Sequence, residues 1–391
     1  MKYLIVTIFS LLIIAFSACN TEEGLAPAPQ NSYIKIIKGK GTDAPLSIQE
    51  FKGGLLIVSN STIVKGENLS NKVRILRVNL SGEVISGSDK YYPENSDQNW
   101  NAKDVVLMDN DRILIGGTVG SNDSLFFLEV NAQLDSVNSQ YYSSNLENYQ
   151  LTGLSYDEAN SKIFFGGSEW TNGVDEFTLF GEMNTSDLSI DQTYRSNKAR
   201  ALPATPILED ASGGLIWAYN AGNSVLVRSN NREMHQIENT DDLSFDGAGD
   251  VVSKKLIETD DGQIIILGEL DSEGQRMLFF YRAYSGIAPF IFGGDGENQL
   301  NGVKKIENGY LIAGSTEISE EGSSDQLDFY LSRRTPGGAE GFSKSFGSDA
   351  DEELHDAVMV NDKIYSIGST VIGIENTLLL IKTNKFGELV N

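Results

Sequence analysis

"ENGYLIAGST", residues 307 to 316, is a turn followed by an apolar run that stops at glycine. The phrase returns six more times, as "GGLLIVSN" (53 to 60), "DRILIGGT" (111 to 118), "SKIFFGGS" (161 to 168), "GGLIWAYN" (213 to 220), "GQIIILGE" (262 to 269) and "DKIYSIGS" (362 to 369). With Leu55, Ile113, Ile163, Leu215, Ile264, Leu311 and Ile364 as equivalents, the gaps are 58, 50, 52, 49, 47 and 53 residues. A period of about fifty-two suits four short strands with their turns, the size of one β-propeller blade, and exceeds a leucine-rich or ankyrin unit.

A second β-rich run follows each phrase, for example "KVRILRVN" (72 to 79), "SLFFLEVN" (124 to 131) and "TLLLIKTN" (377 to 384). These runs are continuous rather than alternating, as expected of strands covered on both faces by neighbouring blades. No segment carries a sustained helical period. The last unit lacks an outer strand, while "YIKIIK" (33 to 38) stands spare at the front; Ile37 precedes Leu55 by 18 residues, as Phe292 precedes Leu311 by 19. The expectation is an all-β, seven-bladed propeller of four-stranded blades over residues 32 to 391, closed by the N-terminal strand completing the last blade.

Ahead of the ring, Lys2 and the apolar stretch 3 to 16 form a signal peptide, too short to span a bilayer comfortably. "FSAC" (16 to 19) resembles the bacterial lipobox, which implies cleavage after residue 18 and a lipid on Cys19, the single cysteine. Residues 19 to 31 then read as lipidated cysteine and flexible tether. Asn20 is not the aspartate of an inner-membrane retention signal, and Glu22 and Glu23 resemble the surface-export signal of Bacteroidetes lipoproteins. The resemblance implies a lipid anchor in the cell outer membrane, facing the extracellular side. "DSL" (123 to 125) and "DSV" (135 to 137) resemble the glycosylation signal of exported Bacteroidetes proteins.

Thirty basic against fifty-five acidic residues give a formal charge of −25, which repels phosphate backbones and excludes nucleic acid as a natural partner. Two histidines, His235 and His355, lie in different blades, so neither a histidine triad nor a three-histidine zinc site can be assembled. There is no phosphate loop and no HExxH, and no cofactor is expected. Acidic loops at 239 to 250, 293 to 298 and 348 to 356 offer carboxylates for glycoside chemistry, and Asp349 and Asp351 are weak calcium candidates; solvated loop charge and Asx turns are the plainer account of all three. No catalytic residue is assigned.

Aromatic residues supply the candidate site. In a propeller the connections from outer to inner strands and from second to third strands share one face, which gathers "DQNWNAK" (97 to 103), "ENYQ" (147 to 150) and "SEWTNG" (168 to 173). Trp100, Tyr149 and Trp170, beside Asn101 and Asn172, would form a rim suited to a glycan or a protein partner. Blade packing is the competing use of the same rings, and Trp217, inside a strand phrase, is core.

The stretch 346 to 389 resembles the repeats of large propellers in secreted and lipid-anchored Bacteroidetes proteins, and "IGGT" and "FGGS" resemble the di-glycine of Kelch repeats. That resemblance speaks to fold; a lipid-anchored ring with no assembled catalytic constellation leads to the expectation of a non-enzymatic binding or scaffold lipoprotein that presents its rim to a glycan, a peptide or a subunit of an outer-membrane uptake or secretion complex. The alternative is a glycan-active hydrolase or lyase with carboxylates in the central funnel, which a close pair of them with one buried would favour.

Overall fold

The computed structural model describes residues 32 to 390 apart from 67, 95–96, 122, 145–147, 172–174, 197–207, 210–214, 222, 231–236, 246–247, 260, 295, 319–325 and 349. Seven four-stranded antiparallel sheets stand in a ring, a β-propeller. Blade 1 contains β2 (Thr42–Phe51), β3 (Gly54–Lys65), β4 (Asn68–Val78) and β5 (Lys90–Tyr92), and blade 2 contains β6 (Trp100–Met108), β7 (Arg112–Val119), β8 (Ser124–Val130) and β9 (Ser136–Tyr142). Blade 3 is β10 (Asn148–Asp157), β11 (Lys162–Thr171), β12 (Asp175–Asn184) and β13 (Ile190–Ser196); blade 4 is β14 (Leu208–Glu209), β15 (Leu215–Ala221), β16 (Ser224–Asn230) and β17 (Ile237–Ser244). Blade 5 is β18 (Val251–Glu258), β19 (Ile264–Ser272), β20 (Gln275–Arg282) and β21 (Phe290–Phe292); blade 6 is β22 (Asn298–Ile306), β23 (Gly309–Ile318), β24 (Gln326–Arg334) and β25 (Glu340–Phe346). Blade 7 joins β26 (Glu352–Val360), β27 (Lys363–Ile372) and β28 (Glu375–Asn384) to β1 (Tyr33–Ile37), which pairs antiparallel with β28, Tyr33 opposite Lys382 and Ile37 opposite Leu378.

The recurring phrase is the second strand of each blade. In blades 1 and 7 its opening turn is a two-residue hairpin: Lys52 and Gly53, and Asn361 and Asp362, all hold positive φ, the type I′ geometry that matches strand twist. Its closing glycine answers a different demand. A Cβ at Gly117, Gly167, Gly268, Gly314 or Gly368 would collide with the carbonyl oxygen of Asn101, Gln150, Val252, Gln299 or Glu353 on the adjoining inner strand. The register also corrects one equivalence: Gly314 lies opposite Leu300 as Gly368 lies opposite Leu354, so Tyr310, not Leu311, matches Ile364. The turn sets the register, and an aromatic residue occupies the first apolar place in that blade.

Between adjacent blades lie seven apolar clusters. Phe164, Phe180, Leu215 and Trp217 fill the gap between blades 3 and 4; Ile48, Leu55, Ile57, Leu76, Ile367, Leu378 and Leu380 fill that between blades 7 and 1. Trp217 is buried, as its position in the phrase implies. Each such side chain stabilises the ring by about 1.5–3 kcal/mol on burial. Polar groups join the same gaps. Asn60 accepts the N–H of Ala102 at 2.7 Å, Asp104 that of Leu154 at 2.8 Å, Asn220 that of Ser253 at 2.9 Å and Glu269 that of Leu300 at 2.7 Å, each from one blade to the next.

Candidate functional site

The first strands of the blades contact one another around the axis, so their outer edges border the central opening. Six of them carry a bulge at the same height, where one residue lacks a register partner: Leu46, Lys103, Thr152, Lys254, Asn301 and His355. Lys103 is exposed and the other five are partly buried, while the residues before them, such as Ala102, Ser253 and Leu354, are buried between blades. Bulges re-aim a side chain out of the pleat, and here they set one residue in each of six blades on the strand that borders the opening, with Leu46 packed against the cluster between blades 1 and 2. Asn301 reaches the carbonyl of Leu354 in the next blade at 2.9 Å, and Lys254 pairs with Glu269 at 3.3 Å. Lys103 has no ion-pair partner among the described residues. His355 Nε2 lies 3.3 Å from Glu353, and this bond holds the Glu353 carboxyl below its usual range.

The described buried carboxylates are committed to structural donors. Asp356 accepts from Ser47 Oγ at 3.1 Å, Ile48 N at 3.0 Å and Ala357 N at 3.0 Å, and pairs with Lys304 at 3.3 Å. Glu352 accepts from the backbone and hydroxyl of Ser348 at 2.8 and 2.7 Å, and Glu129 pairs with Arg112 at 3.2 Å. Asp43 and Arg74, both fully buried in blade 1, pair at 2.7 Å, and Arg74 grips Asp89 with two bonds of 3.0 Å. Burial pushes the Asp43 carboxyl up, with Arg74 pulling against it. The loop at 293 to 298 is knitted by Asn298, which accepts from Gly294 N at 2.8 Å and donates to Gly296 O at 2.6 Å; Asp241 in 239 to 250 accepts from Tyr281 Oη and Tyr284 N at 2.8 and 2.6 Å.

The aromatic rim is placed on one face, as strand order requires: Trp100 lies across from Val119, and Asn148 across from Trp170. The expectation of exposed rings is corrected for two of the three. Trp100 is 3% exposed and stacks on Phe126 with centroids 4.3 Å apart, and Tyr149 is 0% exposed, its hydroxyl donating to Ser144 at 2.9 Å. Each begins an inner strand on the side that packs against a neighbouring blade, so the ring fills the gap instead of the rim. Trp170 is half-buried and Asn101 exposed. Next to Tyr149, the buried Glu169 pairs with Arg195 and accepts from Ser144 at 3.2 Å; burial pushes its carboxyl up, and Arg195 offsets part of that. Asn172, Asp349, His235 and Cys19 lie outside the described residues. Asp351 accepts the N–H of Leu327 at 3.3 Å, and the described residues contain no group of three or more metal-ligating side chains.

The same face carries a feature absent from the sequence expectations. The hairpin between β3 and β4 runs past the rest of blade 1, with Val64 and Leu69 paired across it and 67% and 66% exposed. In adjoining blade 7 the hairpin between β27 and β28 exposes Val371, Ile372 and Ile374, the last 97% accessible. Corresponding turns elsewhere are polar, "VGSNDS" in blade 2 and "DSEGQ" in blade 5. The signal was legible in "TVIGIENT" (370 to 377), where β-branched residues flank the turn glycine that polar residues ordinarily surround.

The chain matches no protein-family model and no curated protein. Among solved structures it is similar to the polysaccharide lyase Uly1, with TM-score 0.51 and 9% identity over 93% of this chain and 94% of that one. It is also similar to the α-L-arabinanase of Penicillium chrysogenum, with TM-score 0.49 and 9% identity over 90% and 95%, and to the Dos1 propeller, with TM-score 0.47 and 11% identity over 89% and 80%. Likeness at these identities concerns the fold alone. The class that the fold defines is the β-propeller, an architecture that does not by itself fix an activity.

Proposed function

We propose that the protein is a surface-exposed outer-membrane lipoprotein, held by a lipid on Cys19, whose propeller is a non-enzymatic docking platform for an integral outer-membrane protein of an uptake or secretion complex. The observation that carries this reading is the pair of apolar hairpin tips, Val64 with Leu69 and Ile372 with Ile374, on neighbouring blades of a chain with formal charge −25. Five accessible branched aliphatics at two turns are surface that water penalises and a protein partner would cover.

Orientation favours a protein over lipid as the occupant. Tyr33 pairs with Lys382 near the end of β28 remote from the tips, and Ser32 donates to Val390 O at 2.6 Å, so the chain leaves the ring on the opposite face. A tether from residue 19 to 31 spans about 45 Å when extended. The tether joins the ring on the face opposite the hairpin tips, which leaves the tips clear of the anchor.

The alternative, glycan cleavage by a carboxylate pair, has less support, because the buried carboxylates described above are each occupied by backbone, hydroxyl or basic donors. The test is site-specific photo-crosslinking from position 374 in the native cell, with Val64→Ser/Leu69→Ser on the neighbouring tip as the control for contact. Crosslinking to an outer-membrane protein, lost in the double variant, supports the platform. A protein that crosslinks to nothing at 374 and releases reducing ends from a polysaccharide overturns it.

A further inference from the structure

The hairpin tips leave the axis of the ring unexplained, and the residues that border it differ in kind from the acidic loops. On a chain of formal charge −25, the bulge positions bordering the opening carry two lysines, a histidine, an asparagine, a threonine and a leucine, and no carboxylate. Two residues earlier, towards the face of the hairpin tips, stand Asn101, Gln150, Gln299 and Glu353, with Ala44 and Val252 in blades 1 and 5; Glu353 is bonded to His355. Such a girdle differs from the loops around it, which are acidic.

We infer that this girdle is a binding site for the anionic substituent of a sugar chain, a carboxylate or a sulfate, with Lys103 and Lys254 as the charge-bearing contacts. Lys103 is exposed and has no ion-pair partner among the described residues, so its ammonium keeps three donors for a ligand. Lys254 meets Glu269 at 3.3 Å, but that carboxylate also accepts the N–H of Leu300 at 2.7 Å, which leaves the ammonium with further donors. The amides supply what hydroxyl groups need. Asparagine and glutamine both donate and accept, and Thr152 adds a hydroxyl, so a polyhydroxylated ring would exchange its water for paired contacts. The two ammonium groups are the attractive charges for an anion there, and they act against the repulsion of a chain of formal charge −25. A neutral sugar would gain nothing from the lysines, and a bare anion nothing from the amides.

This site is separate from the hairpin tips, so its failure and that of the docking reading are distinguishable. The experiment is calorimetry on the full chain in detergent, with tetragalacturonate, its methyl ester and a sulfated galactose tetramer as probes. The expected result is binding of the carboxylated or the sulfated probe, about tenfold tighter than the methyl ester and weakened by added salt. Lys103→Gln and Lys254→Gln should each weaken it about three- to tenfold, Lys103→Gln without changing the unfolding midpoint. Lys103→Gln removes no described bond and serves as the variant safe for folding. Which charged probe binds distinguishes carboxylate from sulfate. Absence of binding by both, equal affinity for the methyl ester, or full affinity in both variants overturns the inference.

Discussion

Asp356, in the inner strand of blade 7, accepts the backbone N–H of Ile48 in the inner strand of blade 1 at 3.0 Å. The bond crosses the junction between the last blade and the first, and the same carboxylate holds Ser47 and Lys304. One buried side chain therefore ties blades 6, 7 and 1 together. Asp356→Ala should destabilise the protein by about 3 kcal/mol, since it orphans a buried N–H and a lysine. Urea unfolding monitored by circular dichroism measures this, and a change under about 1 kcal/mol would place the strength of the junction in its apolar cluster alone.

Arg74 is enclosed by Asp43 and Asp89 and bonds the carbonyl of Lys38 at 3.1 Å, which links the connection after β1 to the core of blade 1. Arg74→Met leaves Asp43 buried without its counter-ion and should cost about 3–5 kcal/mol. Adding Asp43→Asn to it should recover a substantial part, because the uncompensated charge is then gone. Equal stability of the single and double variants would contradict this account.

Removal of residues 32 to 38 from the chain strips the outer strand from the sheet that ends in β28, exposing its edge from Leu378 to Lys382. If that pairing is what closes the ring, the shortened protein should melt at lower temperature and enter aggregates through the bare edge. Differential scanning fluorimetry with size-exclusion chromatography reads both, and an unchanged melt would mean that blade packing between β2 and blade 7 suffices.

The Glu353 carboxyl, held below its ordinary 4.5 by the hydrogen bond with His355, is a depressed acid. Its contribution to stability is complete above the unfolded value near 4.5 and disappears as pH falls through the lower folded value. Because the side chain is 43% exposed, solvent screening limits the effect to about 0.5 kcal/mol. Unfolding of Glu353→Gln should match the parent at acid pH and fall slightly below it at pH 5 to 6; a difference that grows as pH drops would reverse the sign and refute the assignment.

The repeat was readable because each blade solves one packing problem with one local pattern. A turn, a buried run and, in five blades, a glycine beneath the inner-strand bulge recur as the same sheet is built again, so the phrase carries strand identity and blade number. Its register was less secure: "ENGYLIAGST" aligns by its turn, which puts Tyr310 where the apolar run suggested Leu311. The site was less legible still. Trp100 and Tyr149 sit among asparagine, glutamine and lysine, the company of exposed residues, yet the alternation of the strand sends both rings between blades. Lys103 and His355 gained their direction from a bulge, and nothing in the local composition marks which residue of "NAKD" or "ELHD" is the extra one.

Sequence by itself determined the all-β class, the sevenfold period and the burial of Trp217, because these follow from periodicity and turn chemistry within about fifty residues. Only the tertiary structure decided which side chains meet across blades, which border the axis and which stand on the hairpin tips. Those outcomes depend on the angle and register between sheets far apart in the chain, where Asp356 finds Ile48 across 308 residues, and no local pattern encodes that approach.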